Sequence, residues 1–261
     1  MAEAAPVRLE TRERVRIITI DREERRNAID RATREALCDA FVDAGADPDV
    51  WAVVLRGAGQ RAFCAGRDLK ELDDTAREGR AITTPMQGVD RNLHEIVLET
   101  YKPTVAVLNG PAVGGGCELA LSCDLRIAAE HATLQLPEVR RGMGANTASV
   151  LLFRLVPRAV AFELLYTGRP VSAEEAQRWG LVNEVVPADR LDAAADEMVG
   201  RVVSGAPLTL RRYKEMAVKG WELPVPTALR LNVGPNPYQS EDREEGVRAF
   251  VEKREPRWTG R

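Results

Sequence analysis

Two short runs, VWAVVLRG at 50–57 and TVAVLNG at 104–110, are almost wholly apolar, and each ends in glycine. A strand with one wet face alternates apolar and polar residues; a run without that alternation is covered on both faces. Two such runs predict parallel strands with helices packed over them. A strand over 15–21 (VRIITID) precedes them, as does a helix over 30–44 with Asp30 as N-cap and Ile29, Leu37, Phe41 and Val42 at near-helical spacing. Short strands are also expected at DLRIAAE (124–130) and ATLQL (132–136). Strands therefore alternate with helices to about residue 140, which makes the class α/β. Beyond that point the pattern turns helical. Ser172-x-x-Glu175 is a capping box whose helix ends at Gly180, and Pro207 fits the first turn of a helix ending near Gly220. A charged last helix, 241–254, carries Val247, Phe250 and Val251 on one face. Residues 73–90 read as a mobile loop with weak helix, and Pro224, Pro226, Pro235 and Pro237 interrupt the 223–238 stretch.

Composition removes several classes of function. The 261 residues carry a net charge of −3 with both signs interspersed, so no basic block points to nucleic acid. No apolar run approaches the roughly 18 residues of a membrane span, and MAEAAPVRLETRERVR lacks the apolar centre of a signal peptide. The expectation is a cytoplasmic protein without membrane contact. Cys38, Cys64, Cys117 and Cys123 are not spaced as zinc ligands and read as reduced, packed thiols. No serine stands in a G-x-S-x-G context, and neither His94 nor His131 accompanies a convincing nucleophile; they read as a packing or surface residue and a turn residue.

The chemistry concentrates in three stretches. In NGPAVGGGCELALSCD (109–124) a strand ends at Asn109–Gly110 and a helix begins near Gly114. The first amides of a helix lack internal partners and favour negative charge, and glycine lets a ligand approach the backbone itself. Gly115, Glu118, Leu119 and Ser122 share one helical face, so a helix presenting the Gly115 amide also presents the Glu118 carboxylate. Two readings stand: an anion-binding amide with a carboxylate beside it, or glycines that permit close packing with Glu118 in solvent. The spacing is not that of a dinucleotide fingerprint. In RAFCAGRDLKEL (61–72) a second small-residue loop follows a buried strand, and parallel strands bring such loops to one sheet edge. In ATLQLPEVRRGMG (132–144) Pro137 stops a strand and Glu138 follows: an exposed loop residue, or the partner of Glu118 in an acid/base pair.

Together these stretches resemble the crotonase family, the enoyl-CoA hydratase/isomerase superfamily. The likeness begins at DREERRNAID (21–30), includes LYTGRPVSAEEAQRWGLVNEVVP (165–187 region) and ends with SEDREEGVRAFVEKREPRWTGR (240–261). It implies a crotonase-like spiral of ββα units over 1–200 holding a CoA-thioester site. A helical C-terminal region over 201–261 would make the subunit contacts of a homotrimer or dimer of trimers. It implies an acyl-CoA thioester as substrate, coenzyme A being part of that substrate, with no separate cofactor and no metal, and a place in fatty acid metabolism. By position in the motifs, the backbone amides of Arg67 and Gly115 would hold the thioester oxygen as it becomes enolate-like. Glu118 and Glu138 match the catalytic glutamates of family hydratases, Glu118 deprotonating a water and Glu138 protonating the α-carbon. Arg25, Arg26 and Ala28 in the first loop, Ala65, Asp68 and Leu69 around the second, and Gly114 and Gly142 are the thioester-contacting positions it implies. Lys253 stands where it would reach CoA phosphates or solvent. The run GMGANTASVLLFRLVPR (142–158) departs from the family's PGxGGT-like stretch: Gly142 and Gly144 remain and the later glycine pair does not. The expected activity is enoyl-CoA hydratase; a family isomerase, a specialised 3-hydroxyacyl-CoA dehydratase and a non-catalytic CoA-thioester-binding protein are the alternatives.

Overall fold

The computed structural model describes residues 5–79 and 91–261. Its main sheet begins with β1 (Val7–Arg12) and β2 (Val15–Ile20), an antiparallel pair. The chain continues through α1 (Arg31–Ala46), β3 (Ala52–Gly57), α2 (Leu69–Arg77), α3 (Leu93–Leu98), β4 (Thr104–Leu108), β5 (Ala112–Val113) and α4 (Gly115–Ser122). Then follow β6 (Leu125–Ala129), β7 (Thr133–Gln135), a 3-10 turn at Pro137–Arg141, α5 (Ala148–Leu155), α6 (Arg158–Thr167), β8 (Val171–Ser172), α7 (Ala173–Arg178) and β9 (Glu184–Val186). The chain closes with α8 (Leu191–Val203), α9 (Pro207–Gly220), α10 (Val225–Ala228) and α11 (Glu241–Glu252). Strands β2, β3, β4, β6 and β9 run parallel in one sheet, and β5, β7 and β8 form a smaller second sheet.

The apolar runs are buried on both faces, as their lack of alternation requires. Val53 and Leu55 of β3 with Ala106 and Leu108 of β4 face the larger core, shared with Leu37 and Phe41 of α1 and Leu119 of α4. Ala52, Val54, Val105, Val107, Ile127 and Ala129 face the other way, onto Leu191, Ala194, Ala195, Met198 and Val199 of α8. Thus α8 runs through position 200 and covers the sheet's second face. Asp30 caps α1 by accepting the Thr33 amide, and Ser172 caps α7 by accepting the Glu175 amide. Cys64, Cys117 and Cys123 are buried, Cys38 is partly buried, and all four are free thiols.

Several elements differ from the sequence reading. Strand β1 is an added edge strand whose residues after Val7 are exposed. The expected loop at 73–90 begins as the end of α2, and its remainder at 80–90 lies outside the described residues. Lys253 ends the last helix in a left-handed conformation, φ 55°, so α11 stops at Glu252.

Helix α9 is tied to the sheet by a buried cation. Lys214 Nζ donates to the Lys102 carbonyl at 3.1 Å and Thr104 Oγ1 at 3.2 Å, and pairs with the Asp124 carboxylate at 2.8 Å. Removing the cation takes the charge partner from a half-buried carboxylate, which keeps the Thr104 amide and hydroxyl as donors at 2.8 and 3.0 Å. Lys214→Met is expected to lower unfolding stability by about 2 kcal/mol, discounted because Asp124 keeps solvent on one side. Urea denaturation measures it; an unchanged midpoint would show that the pair holds nothing.

Candidate active site

Three loops at the carboxyl ends of parallel strands are stitched into one wall. The Ala65 amide donates to the Arg26 carbonyl at 3.0 Å, the Ile29 amide to Gly66 O at 2.8 Å, and the Asp68 amide back to Ile29 O at 2.9 Å. The Val113 amide donates to Cys64 O at 2.9 Å, which joins the third loop. Two buried asparagines hold this wall to the sheet. Asn27 Nδ2 donates to Ala58 O and Ala62 O at 3.0 and 2.8 Å, and Asn109 Oδ1 accepts the Gly57 amide at 3.2 Å. Buried amides satisfied this way fix a loop that has no ladder of its own.

This stitching brings the Arg67 and Gly115 amides together. A β-carbon on Gly66 (φ +84°) would lie 2.5 Å from Val113 O and 3.2 Å from the Gly115 nitrogen. One on Gly115 would lie 4.0 Å from the Arg67 nitrogen. At Gly66 a side chain would collide with the Val113 carbonyl, so its absence lets the second and third loops come this close; at Gly115 a β-carbon would make only an ordinary contact. At its far end α4 is anchored by Arg126, whose buried guanidinium donates to Ala120 O at 3.1 Å and to Leu181 O. The helix that offers Gly115 is therefore fixed at both ends.

The two carboxylates flank this pair in different surroundings. Glu118, 7% exposed, accepts the Ala148 amide at 3.0 Å through Oε1, at the start of α5. Burial pushes its pKa up, and the Ala148 and Thr147 amides pull it back. Glu138, 8% exposed, sits in the Pro137–Arg141 turn, and its Oε2 is buried with no hydrogen-bond partner among the described residues. Its Oε1 would lie 2.8 Å from a β-carbon on Gly114. Burial is the largest cause pushing its pKa up; the nearby Glu118 charge adds to that and Arg141 opposes it. The open reading of Glu118 as a solvated helix residue and of Glu138 as an exposed loop residue is thereby closed: both are buried.

The other expected positions divide. Arg25 and Arg26 are exposed on the first loop, Ala28 is buried beneath it, and Leu69 is exposed at the start of α2. Ala65 is partly buried, with its amide already used by Arg26. The Asp68 side chain is committed to the fold: it accepts the Lys70 amide at 3.1 Å to cap α2 and pairs with Arg22 at 3.3 Å. Gly142 (φ +63°) ends the turn that carries Glu138. Sequence reasoning missed Asn27, Asn109, Arg22 and the α5 amides. The Asn109–Gly110 strand end was the one visible signal among them.

A buried pair of glutamates lies beside the Arg67 and Gly115 backbone on this fold, and the comparisons name the family. The chain belongs to the enoyl-CoA hydratase/isomerase family, whose profile matches residues 10–261. It is 40% identical over 252 residues to a carnitinyl-CoA dehydratase of Salmonella heidelberg (strain SL476), covering 94% of each chain. Among solved structures it resembles an enoyl-CoA hydratase from Bacillus anthracis (TM-score 0.87, 33% identity, 98% of this chain and 100% of that one). An enoyl-CoA hydratase from Mycobacterium tuberculosis H37Rv matches equally, at TM-score 0.87 and 33% identity over 98% of this chain and 100% of that one. The crotonase fold read from the sequence is therefore the fold of the chain. No helix among the described residues is long and apolar enough to cross a membrane.

Proposed function

We propose that this protein is an enoyl-CoA hydratase that adds water reversibly to a 2-enoyl-CoA thioester, coenzyme A being part of the substrate and no separate cofactor taking part. The observation that carries this reading is the pair of buried carboxylates in unlike surroundings beside two converging amides. Glu118, steadied as an anion by the start of α5, takes a proton from water as the oxygen attacks the β-carbon. The double-bond electrons move onto the thioester oxygen, which the Arg67 and Gly115 amides receive. Such preorganised donors are worth about 3 kcal/mol each to the barrier. Glu138, whose hold on its proton burial strengthens, then protonates the α-carbon. In dehydration the same groups run backwards.

A second reading, dehydration of a 3-hydroxyacyl-CoA with a specialised acyl end, is favoured by the 40% identity to proteins named carnitinyl-CoA dehydratase. A double-bond isomerase needs only one carboxylate, and a non-catalytic thioester binder needs neither. Incubation with crotonyl-CoA and longer enoyl thioesters separates these. Loss of enoyl absorbance with water incorporated supports hydration, and a shifted double bond without water supports isomerisation. Tight binding of every thioester without turnover sinks catalysis altogether. We place the enzyme in the cytoplasm as a homotrimer or dimer of trimers. The exposed apolar face of α11, with Val247, Phe250 (85% exposed) and Val251, supports self-association. Light scattering tests it, and a monodisperse monomer would contradict it.

The rate should carry the carboxylates' signature. Both pKa values lie above the ordinary 4.5, and the base must be ionised, so kcat/KM falls as pH drops through the raised pKa of the pair. The acid limb is therefore expected above pH 4.5; a limb at or below that value would mean that neither buried carboxyl acts as the base.

A further inference from the structure

The start of α4 has to be held still without side chains. Gly114 is gripped through its backbone: its amide donates to Gln135 O at 2.8 Å and its carbonyl accepts the Glu118 amide at 2.9 Å. Gly115 comes next, and its amide is one of the unpaired donors at the helix start. Its carbonyl has a partner from another element, since His94 Nε2 lies 3.2 Å from Gly115 O. A carbonyl only accepts, so Nε2 carries the hydrogen and Nδ1 is the bare nitrogen of a neutral ring. Burial lowers the imidazole pKa, which favours that neutral form.

The ring is itself on a fixed support. Helix α3 opens with a complete capping box, in which Asn92 accepts the Glu95 amide at 3.1 Å and Glu95 accepts the Asn92 amide at 2.8 Å. Leu93 and Val97, on either side of His94, are anchored in the larger core. A side-chain donor on a locked helix thus reaches the carbonyl of the residue whose amide faces the reaction. Glycine has the widest choice of backbone angles of any residue, so an external grip on its carbonyl removes freedom that its own chain would leave.

We propose that His94 is a positioning residue of the amide pair: its Nε2–H, carried on α3, fixes the Gly115 backbone so that the Gly115 amide stays aimed beside that of Arg67. The proposal rests on the assignment of those amides to the thioester oxygen. The oxygen gains charge only during reaction, so a misaimed donor costs kcat more than KM.

Three variants separate aiming from packing. His94→Phe keeps the ring's bulk and loses the donor. His94→Asn brings an amide only to the nearer ring-nitrogen position. His94→Gln can place an N–H where Nε2 sits. For crotonyl-CoA hydration, His94→Phe and His94→Asn are expected to lower kcat about 10-fold with KM changed less than about 2-fold, a fraction of the loss of a whole donor. His94→Gln should recover to within about 3-fold of the parent. A second readout needs binding alone. A dimethylaminocinnamoyl-CoA absorbs at longer wavelength as its carbonyl is polarised, and that red shift should shrink in the Phe and Asn variants and persist in the Gln variant. Equal kcat and equal red shift in His94→Phe and the parent would overturn the proposal. So would equal losses in all three variants, which would make the imidazole a packing group. If the parent bound the chromophore without turning over any enoyl thioester, the hydratase reading would fall while the red shift still judged His94.

Discussion

Glu138→Gln is expected to lower crotonyl-CoA hydration about 10³-fold while the KM or dissociation constant of the thioester changes little. The glutamine keeps the shape of the carboxyl in the Pro137–Arg141 turn but has no proton to give to the α-carbon. The same variant should be more stable than the parent at pH 7. A carboxyl whose folded pKa is raised above its unfolded value favours folding below about pH 4.5 and loses that contribution as pH rises through the folded pKa. At neutral pH the buried Glu138, with Oε2 unpartnered, is therefore a cost to the fold. Glutamine has no carboxyl to titrate and escapes that cost. A melting temperature roughly 2–4 °C above the parent at pH 7, with the gain shrinking as pH approaches 4.5, corresponds to about 1 kcal/mol in a chain of this size. Steady-state kinetics and calorimetry on one preparation test both arms. Parental kcat in Glu138→Gln would remove this residue from the chemistry. A variant less stable than the parent at pH 7 would mean that the carboxylate is satisfied in solution.

The two parallel central strands were legible because burial on both faces leaves no place for alternation, as 50–57 and 104–108 display. The glycines before Glu118 were legible for the opposite reason: three residues without side chains ahead of a helix are costly unless something needs the space. Strand β1 was not legible, since an edge strand with one buried residue carries the polar composition of a loop. Strands β5, β8 and β9, of two or three residues, are made by pairing rather than by local preference. Within the site, the sequence pattern singled out both glutamates but left open whether they were buried, and it did not show what distinguishes their surroundings. The Ala148 amide that steadies Glu118 arrives from 30 positions away. Asp68 shows what a motif leaves out: the sequence marks a position next to the site, and only the fold shows that its carboxylate caps α2 and pairs with Arg22. His94 was read as a packing or surface residue, because the partner of its Nε2 is a carbonyl and carbonyls have no letter in a sequence.

The steric demand that bears most directly on the two proposed catalytic groups falls on Gly114, and Gly114→Ala should lower kcat about 10³-fold. Its backbone, φ 57° and ψ −128°, lies where a residue with a β-carbon is strained by about 1–3 kcal/mol. The new carbon would also sit 2.8 Å from Glu138 Oε1, inside contact distance. Relief requires either that Glu138 swing away or that the Gly114–Gly115 peptide turn, and that peptide carries the Gly115 amide. One methyl thus perturbs the proton donor and the anion-binding amide together, each of which alone is worth about 10²–10³ in rate. Gly180→Ala is the matched control. Gly180 also has a positive φ, 78°, but no atom lies within 4 Å of its would-be β-carbon, neither glutamate among them, and it follows the Trp179 cap of α7. The control should lose a comparable increment of stability and keep parental kcat. If Gly114→Ala loses stability as Gly180→Ala does yet turns over crotonyl-CoA at the parental rate, then Glu138 and the Gly115 amide do not share one reacting centre. The division of labour between acid and oxyanion site would then have to be abandoned.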